Sequence, residues 1–175
     1  MKKCSKYLFV ALCVFLLVGC NDTEEEKLDT NLSSKIILNE EDASAVCTVD
    51  KDYSDSEGYV MGAKFAIYTN DKDIVIRVVG QQILSSNNKG KLSSLQNKME
   101  NTYVEASKYG GYTYNTKISG KNLIVDTDID YTKINLEQMA ENQPKLKTYL
   151  NDDNQYTLSS IQASYMATGA ECNKK

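Results

Sequence analysis

The sequence predicts an α+β fold in which an antiparallel sheet, built from two hairpins, carries amphipathic helices on one face. Two stretches alternate apolar and polar residues around a short polar turn, which is typical of a β-hairpin. Between them, apolar residues recur at three- and four-residue steps, which is typical of a helix with one buried face. Hairpins imply antiparallel pairing, and helices that cover one face of such a sheet complete a two-layer domain.

The first hairpin is predicted over residues 59–84. Residues 70–73 are four polar residues that form its turn, and an apolar run resumes at residue 74. The apolar face of the first strand consists of Tyr59, Met61, Ala63, Phe65 and Ile67.

The helix is predicted over residues 92–106. Gly110 and Gly111 end it, because glycine readily adopts the left-handed conformation that closes a helix. Its apolar stripe is Leu92, Leu95, Met99, Tyr103 and Ala106.

The second hairpin is predicted over residues 112–129, with its turn at residues 119–122. One face of its two strands is formed by Tyr112, Tyr114, Thr116, Ile118, Leu123, Val125, Thr127 and Ile129.

Two shorter helices are predicted after the second hairpin. Asn135 can cap a helix that Pro144 interrupts, and Thr157 can cap a final helix that ends at Gly169. The apolar residues of these helices are Leu136, Met139, Leu158, Ile161, Tyr165 and Met166.

The composition excludes several classes of function. With 175 residues the chain has room for one domain, and its formal net charge of −4 lacks the basic footprint of a nucleic-acid binder. The chain has no His, which removes every mechanism that needs an imidazole base or ligand. We therefore predict no nucleic-acid partner, no cofactor, no metal site and no catalytic residues.

The N-terminus carries an export signal. Lys2, Lys3 and Lys6 precede an apolar run over residues 7–18, which is too short to span a bilayer but has the length of a signal-peptide core. The run ends at Gly19-Cys20, which resembles a bacterial lipobox. This resemblance implies cleavage between the two residues and attachment of a diacylglycerol to the Cys20 thiol. The alternative is an uncleaved N-terminal anchor with an accidental cysteine.

Three regions follow from this signal. Residues 1–19 are predicted to be the lipoprotein signal peptide, residues 20–44 an acidic flexible tether and residues 45–175 the single folded domain. Loss of the three leader lysines changes the net charge from −4 to −7. The apolar cluster at residues 36–38 leaves open a short strand at the domain edge.

Two cysteines are expected to form a disulfide. Cys4 and Cys13 leave with the leader and Cys20 carries lipid, so Cys47 and Cys172 remain as a pair in an exported domain. Such a bridge joins the two ends of the domain. The alternative is two unrelated buried thiols.

A series of short motifs resembles the YehR-like family of small bacterial lipoproteins. The motifs are Cys47 at the domain start, Gln81-Gln82, the Tyr-Gly-Gly-Tyr segment at residues 109–112, Asp130-Tyr131, and Gly-Ala-Glu-Cys at residues 169–172. The resemblance implies a small α+β domain. The function of the family is not established, so the resemblance supplies no catalytic residues.

Three patterns are candidates for chemistry or binding. Asp126, Asp128 and Asp130 resemble the start of a calcium loop, although they also fit the polar face of a strand. Residues 86–89 match the S-x-x-K motif of serine acyl-enzymes, in a connection where Ser and Asn are expected anyway. The third pattern is a tyrosine group that could bind a partner or fill the margins of the core, namely Tyr109, Tyr112 and Tyr114.

These observations predict an exported lipoprotein domain, anchored by lipid to the extracytoplasmic face of the cell membrane, that binds an envelope protein, a peptide or a glycan without catalysing a reaction. A Gram-positive source is indicated by the Lys-, Asn- and Ile-rich composition with Arg77 as its one arginine. The alternatives are a hydrolase that uses carboxylates alone and a structural envelope component without a discrete ligand.

Overall fold

The computed structural model describes residues 27–175, in which six antiparallel strands form an open sheet with the order β4-β5-β3-β2-β1-β6. The strands are β1 (Ala45–Tyr53), β2 (Tyr59–Thr69), β3 (Val75–Ser85), β4 (Tyr112–Ser119), β5 (Asn122–Asp130) and β6 (Glu171–Lys174).

The described helices are α1 (Ser54–Glu57), α2 (Lys89–Ser107), α3 (Leu136–Asn142) and α4 (Leu158–Met166), with 3₁₀ turns at Ser33–Lys35, Tyr131–Lys133 and Pro144–Tyr149. The predicted α+β class is confirmed, because helices α2 to α4 pack their buried residues against the antiparallel sheet.

Both predicted hairpins are present, as β2–β3 and β4–β5. Helix α2 connects them, and β5 rather than β4 pairs with β3, so β4 becomes an edge of the sheet. In β5 the alternation of apolar residues that predicted the strand matches the alternation of burial, with Leu123 and Val125 buried on the helix side, whereas β2 is buried along most of its length.

The helix predictions are confirmed for α2 and α4. All five residues of the α2 stripe are buried, and the Asn88 side chain caps the helix by accepting a hydrogen bond from Lys91 N. Thr157 caps α4 by accepting from Ser160 N, as its position predicts. Met166 was expected on the apolar side of α4, but it lies on the last turn of the helix with 58% of its surface exposed.

The prediction of a flexible tether up to residue 44 is wrong for the described part of that segment. Residues 28–44, here called the strap, lie on the sheet face opposite the helices. Leu32 and Ile36 are only 3% and 1% exposed because they pack with Val60 and Ile83 of that face. The folded domain therefore begins before residue 45, while residues 1–26 lie outside the described part of the chain.

The apolar cluster at residues 36–38 does not form a short strand at the domain edge, which was the alternative prediction. Ile36 follows the 3₁₀ turn Ser33–Lys35 and points into the sheet, whereas its neighbour Ile37 is 90% exposed. Gly62 permits the close approach, because a Cβ at this position would overlap Ser33 N and Leu32 Cβ. Ser33 N also donates a hydrogen bond of 2.8 Å to the Asp50 carboxylate on β1.

Cys47 and Cys172 are opposite each other in the β1–β6 pair and form a disulfide, with an S–S distance of 2.00 Å and a Cα–Cα distance of 4.0 Å. Cys47 is buried in the main core. The bridge joins the first strand of the sheet to the last, so it closes nearly the whole described domain into one loop.

We expect the purified mature protein to show no free thiol in an Ellman titration without reductant, and reductant to lower its melting temperature. For a sequence separation of 125 residues the chain-entropy relation gives about 5 kcal/mol as an upper figure. The matched control is the double variant Cys47→Ala/Cys172→Ala, whose melting temperature should not respond to reductant. Two titratable thiols, together with a melting temperature that does not change on addition of reductant, would contradict the presence of the disulfide.

Candidate functional site

The three tyrosines predicted as a binding group lie beneath the helices rather than on an open surface. Tyr112 and Tyr114 occupy β4 on its helix-facing side, and Tyr109 follows the end of α2. All three are partly buried and pack against the main core. Tyr114 stacks on Tyr103 of α2 with ring centroids 5.1 Å apart, so part of the group fills the margin of the core.

Further tyrosines join this group from distant parts of the chain. Tyr131 follows β5 and meets Tyr156 edge to face at 5.3 Å, and Tyr165 of α4 stacks on Phe65 of β2 at 4.7 Å. Six residues form this group, here called the tyrosine cluster: Tyr103, Tyr112, Tyr114, Tyr131, Tyr156 and Tyr165.

The hydroxyl groups of the cluster lie close enough to influence one another. The pKa of Tyr112 is raised well above its usual range, first by burial and then by the neighbouring hydroxyls of Tyr131 and Tyr156. The pKa of Tyr165 is raised in the same way, by burial and then by the neighbouring tyrosines. The phenols of Tyr112 and Tyr165 therefore stay protonated at neutral pH, where they donate and accept hydrogen bonds but do not act as phenolate bases or nucleophiles.

The Tyr165 hydroxyl differs from that of Tyr103 in its hydrogen bonding. Tyr165 is 1% exposed, and its hydroxyl has no partner within the described residues. Leaving a buried polar group unpaired costs about 1–3 kcal/mol, so such a group in a folded protein calls for an explanation. By contrast, the Tyr103 hydroxyl accepts a hydrogen bond of 3.3 Å from the buried Gln82 amide.

Helix α3 and the 3₁₀ turn Pro144–Tyr149 cover the cluster. The Tyr112 hydroxyl lies 4.0 Å from the sulfur of Met139 in α3, and Leu146 of the turn is buried in the same core. Gln143, which joins the two elements, also keeps a buried side-chain oxygen without a partner. Buried polar atoms without a partner therefore occur both in the cluster and in the segment that covers it.

The three aspartates that resembled a calcium loop lie on the strand β5, on the face away from Leu123 and Val125. Each already has a partner from the protein. Gln81 donates to Asp126 at 2.6 Å, Arg77 forms a bidentate pair with Asp128, and Lys133 pairs with Asp130 at 2.7 Å. Within the described residues no group of three acidic, Cys or His side chains is placed to hold a metal ion.

The S-x-x-K motif forms part of a connection between β3 and α2. The Ser86 hydroxyl is buried, donates to the Gly58 carbonyl at 2.6 Å and accepts from Asn88 N at 3.1 Å. Lys89 is exposed at the start of α2. Ser86 therefore fixes the loop geometry, and its hydrogen bonds do not lead to a lysine base.

The proposed anchor residues Gly19 and Cys20 lie outside the described residues. Within residues 27–175 no helix has the length and apolar character needed to cross a bilayer.

Comparisons with known proteins show a similarity of fold. The chain is similar to the NMR structure of the YehR protein of E. coli, a structural-genomics target, with a TM-score of 0.50 and 10% identity over 78% of this chain and 94% of that one. An NMR structure of a protein from Streptococcus pneumoniae TIGR4 aligns with a TM-score of 0.41 and 19% identity, over 89% and 99% of the two chains. No protein-family model and no curated protein matches the chain. The fold is YehR-like, and at this identity the similarity concerns the fold alone.

The unpaired hydroxyl leads to a prediction about two matched variants. Tyr103→Phe leaves the buried Gln82 amide unpaired and should lower the free energy of unfolding by about 1–2 kcal/mol. Tyr165→Phe removes a group that has no partner and should leave the free energy unchanged or raise it by up to about 1 kcal/mol. Urea unfolding of the two variants measures the difference. An equal loss in both would show that the Tyr165 hydroxyl is satisfied in solution.

Proposed function

We propose that this protein is an exported lipoprotein of the bacterial cell envelope, anchored through Cys20 to the extracytoplasmic face of the membrane, and that its domain binds a ligand without catalysing a reaction. The lipobox-like Gly19-Cys20 sequence after a short apolar run supports the anchor. The Cys47–Cys172 bridge supports export, because structural disulfides persist in oxidising compartments.

The buried and unpaired Tyr165 hydroxyl is the observation that carries the binding function. It lies among other tyrosine hydroxyls at the interface of sheet and helices, where aromatic rings offer apolar faces and the hydroxyls offer hydrogen bonds. A ligand group that forms a hydrogen bond with this hydroxyl removes the cost of the unpaired buried group, and that free energy favours binding.

The chemistry of the cluster favours an uncharged ligand. Among the described residues, burial and other tyrosines account for the raised pKa values of Tyr112 and Tyr165, and no lysine or arginine contributes. An ion at this place would lose its hydration without gaining a counter-charge. A neutral glycan or an uncharged peptide segment combines apolar surface with hydroxyl or amide groups and fits this environment.

Access to the hydroxyls requires movement of α3 and the turn Pro144–Tyr149, since Met139 and Leu146 of these elements pack over the core. Both elements are short, and small helices that cover a core through few apolar residues belong to the less stable parts of a fold.

The hydrolase alternative has less support from the geometry. The carboxylates on β5 are each engaged by a protein partner, and the phenols of Tyr112 and Tyr165 are protonated at neutral pH. A structural envelope component without a ligand remains the result expected if binding experiments fail.

The anchor is tested by Cys20→Ala in the full chain. We expect an unprocessed and unlipidated precursor, because the thiol that accepts the diacylglycerol is gone. Intact mass and partition into detergent report the change. Cys13→Ala in the apolar run is the matched control and should be processed normally. Wild-type mass and partition for Cys20→Ala would contradict the lipobox interpretation.

The binding function is tested by NMR titration of the mature protein with neutral N-acetylated glycan fragments and an uncharged peptide. We expect shift changes at the aromatic signals of Tyr112, Tyr131 and Tyr165. Tyr165→Phe should weaken the binding about fivefold, which corresponds to roughly 1 kcal/mol for one hydrogen bond. Tyr68→Phe is the control, because its hydroxyl bonds to the Asn39 carbonyl on the other side of the sheet. Shifts confined to that other side would contradict the assigned site.

A further inference from the structure

The two ends of the sheet differ in which parts of the chain they carry. At the first end, here called the entry end, lie α1, the connection at residues 86–88 and the β4–β5 turn at residues 120–121. At the other end, here called the far end, lie the loops at residues 40–44, 70–74 and 151–154.

The strap runs along the sheet from the entry end to the far end. It begins close to the entry end, because Leu28 packs against the apolar contact that contains Val60, and Val60 pairs with Ser85 at that end of the sheet. It passes Gly62 in β2 and reaches the far end, where Ser44 N donates to the Ile67 carbonyl at 2.7 Å.

Polar contacts hold the strap along this path. The carboxylate of Glu40 forms ion pairs with Lys64 at 3.5 Å and with Lys175 at 2.7 Å, and the Tyr68 hydroxyl donates to the Asn39 carbonyl at 2.8 Å. With the apolar packing of Leu32 and Ile36, these contacts fix the direction of the chain before β1. The chain therefore enters the fold at the entry end.

Docking of the strap shortens the link between the lipid and the domain. Seven peptide units separate Cys20 from Lys27, and they span at most about 25 Å. A free tether up to residue 44 would have reached about 80 Å. With lipid on Cys20, the entry end is confined to the neighbourhood of the bilayer.

The charges of the two ends agree with this orientation. The far-end loops are strongly acidic, whereas lysines and acids are balanced at the entry end, so an anionic membrane repels the first more than the second. The entry end carries Lys27, Lys89, Lys91 and Lys121 against Asp29, Asp52, Asp55 and Glu57. The far-end loops carry Glu40, Glu41, Asp42, Asp71, Asp73, Asp152 and Asp153 against Lys72, with Lys133 and Lys175 beside Asp130 and Glu40 at the same end.

We infer that the entry end is the membrane-facing surface of the domain and that the docked strap holds this end against an anionic lipid bilayer. The inference rests on the lipid anchor proposed above and adds the orientation of the domain and the surface that meets the lipid.

The experiment uses the mature lipidated protein in vesicles that contain phosphatidylglycerol and an acceptor dye on a fraction of the headgroups. A donor dye is attached to a cysteine introduced by Ser119→Cys at the entry end or by Asp153→Cys at the far end, both exposed positions. We expect clearly greater energy transfer from position 119 than from position 153.

Two further variants test the part played by the strap. Ile36→Asn places an amide in the apolar contact with Val60 and should reduce the difference between the labels, whereas Ile37→Asn at the exposed neighbour should not. A twenty-residue Gly-Ser insertion after Glu25 leaves every described contact intact and should reduce the same difference by lengthening the link.

Each outcome decides between the claims. Lipidated protein with equal transfer from both labels, or with greater transfer from position 153, overturns the inferred orientation and leaves the lipid anchor standing. An insertion that leaves the difference unchanged also overturns the inference, because the short link then plays no part. Protein without lipid by intact mass overturns the proposed anchor and the orientation together.

Discussion

The pairing of β1 with β6, closed by the Cys47–Cys172 bridge, is the interaction on which the rest of the architecture depends. It brings the N-terminal and C-terminal parts of the domain to one edge of the sheet. Lys175 N then donates to the Ser44 carbonyl at 3.1 Å, and its ammonium group pairs with Glu40 of the strap. The same strand fixes α4, since β6 follows that helix after the turn at Gly169. Strap and helix, on opposite faces, are thus positioned by one strand pair.

The placement of Tyr165 follows from this constraint and from one glycine. Gly80 on β3 has no side chain, and a Cβ there would overlap the ring of Phe65. Phe65 therefore lies flat over β3, and Tyr165 of α4 stacks on it. A phenylalanine at position 165 could make the same stacking contact without burying a hydroxyl. The tyrosine hydroxyl adds nothing to this stacking contact, and the proposed binding function rests on that unpaired group.

The sequence predicted those parts of the fold whose signal is local. The two hairpins and α2 have regular apolar periods and were found, but β6 has four residues and only Cys172 among them is apolar, so it carries no period. The strap was missed because its composition is polar and its buried apolar residues, Leu32, Ile36 and Ala43, form no regular pattern. Its docking depends on the bare backbone of Gly62, which is remote in sequence. For the candidate site, Tyr112 and Tyr114 were predicted from alternation on β4. Their convergence with Tyr165 depends on tertiary packing, although Tyr165 already stood on the predicted apolar side of the last helix.

The position of the tyrosine cluster relative to the strap connects the two proposals. Tyr112 begins β4, Tyr131 follows the end of β5, and the Tyr156 carbonyl accepts a hydrogen bond of 2.9 Å from Val75 N at the start of β3. All three lie toward the far end of the sheet. With the lipid on Cys20 and the entry end at the bilayer, these three tyrosines are displaced from the membrane surface by much of the length of an 11-residue strand, about 35 Å. If both proposals hold, the link to the membrane is short, and molecules in the envelope space reach the cluster once α3 and the turn Pro144–Tyr149 move aside.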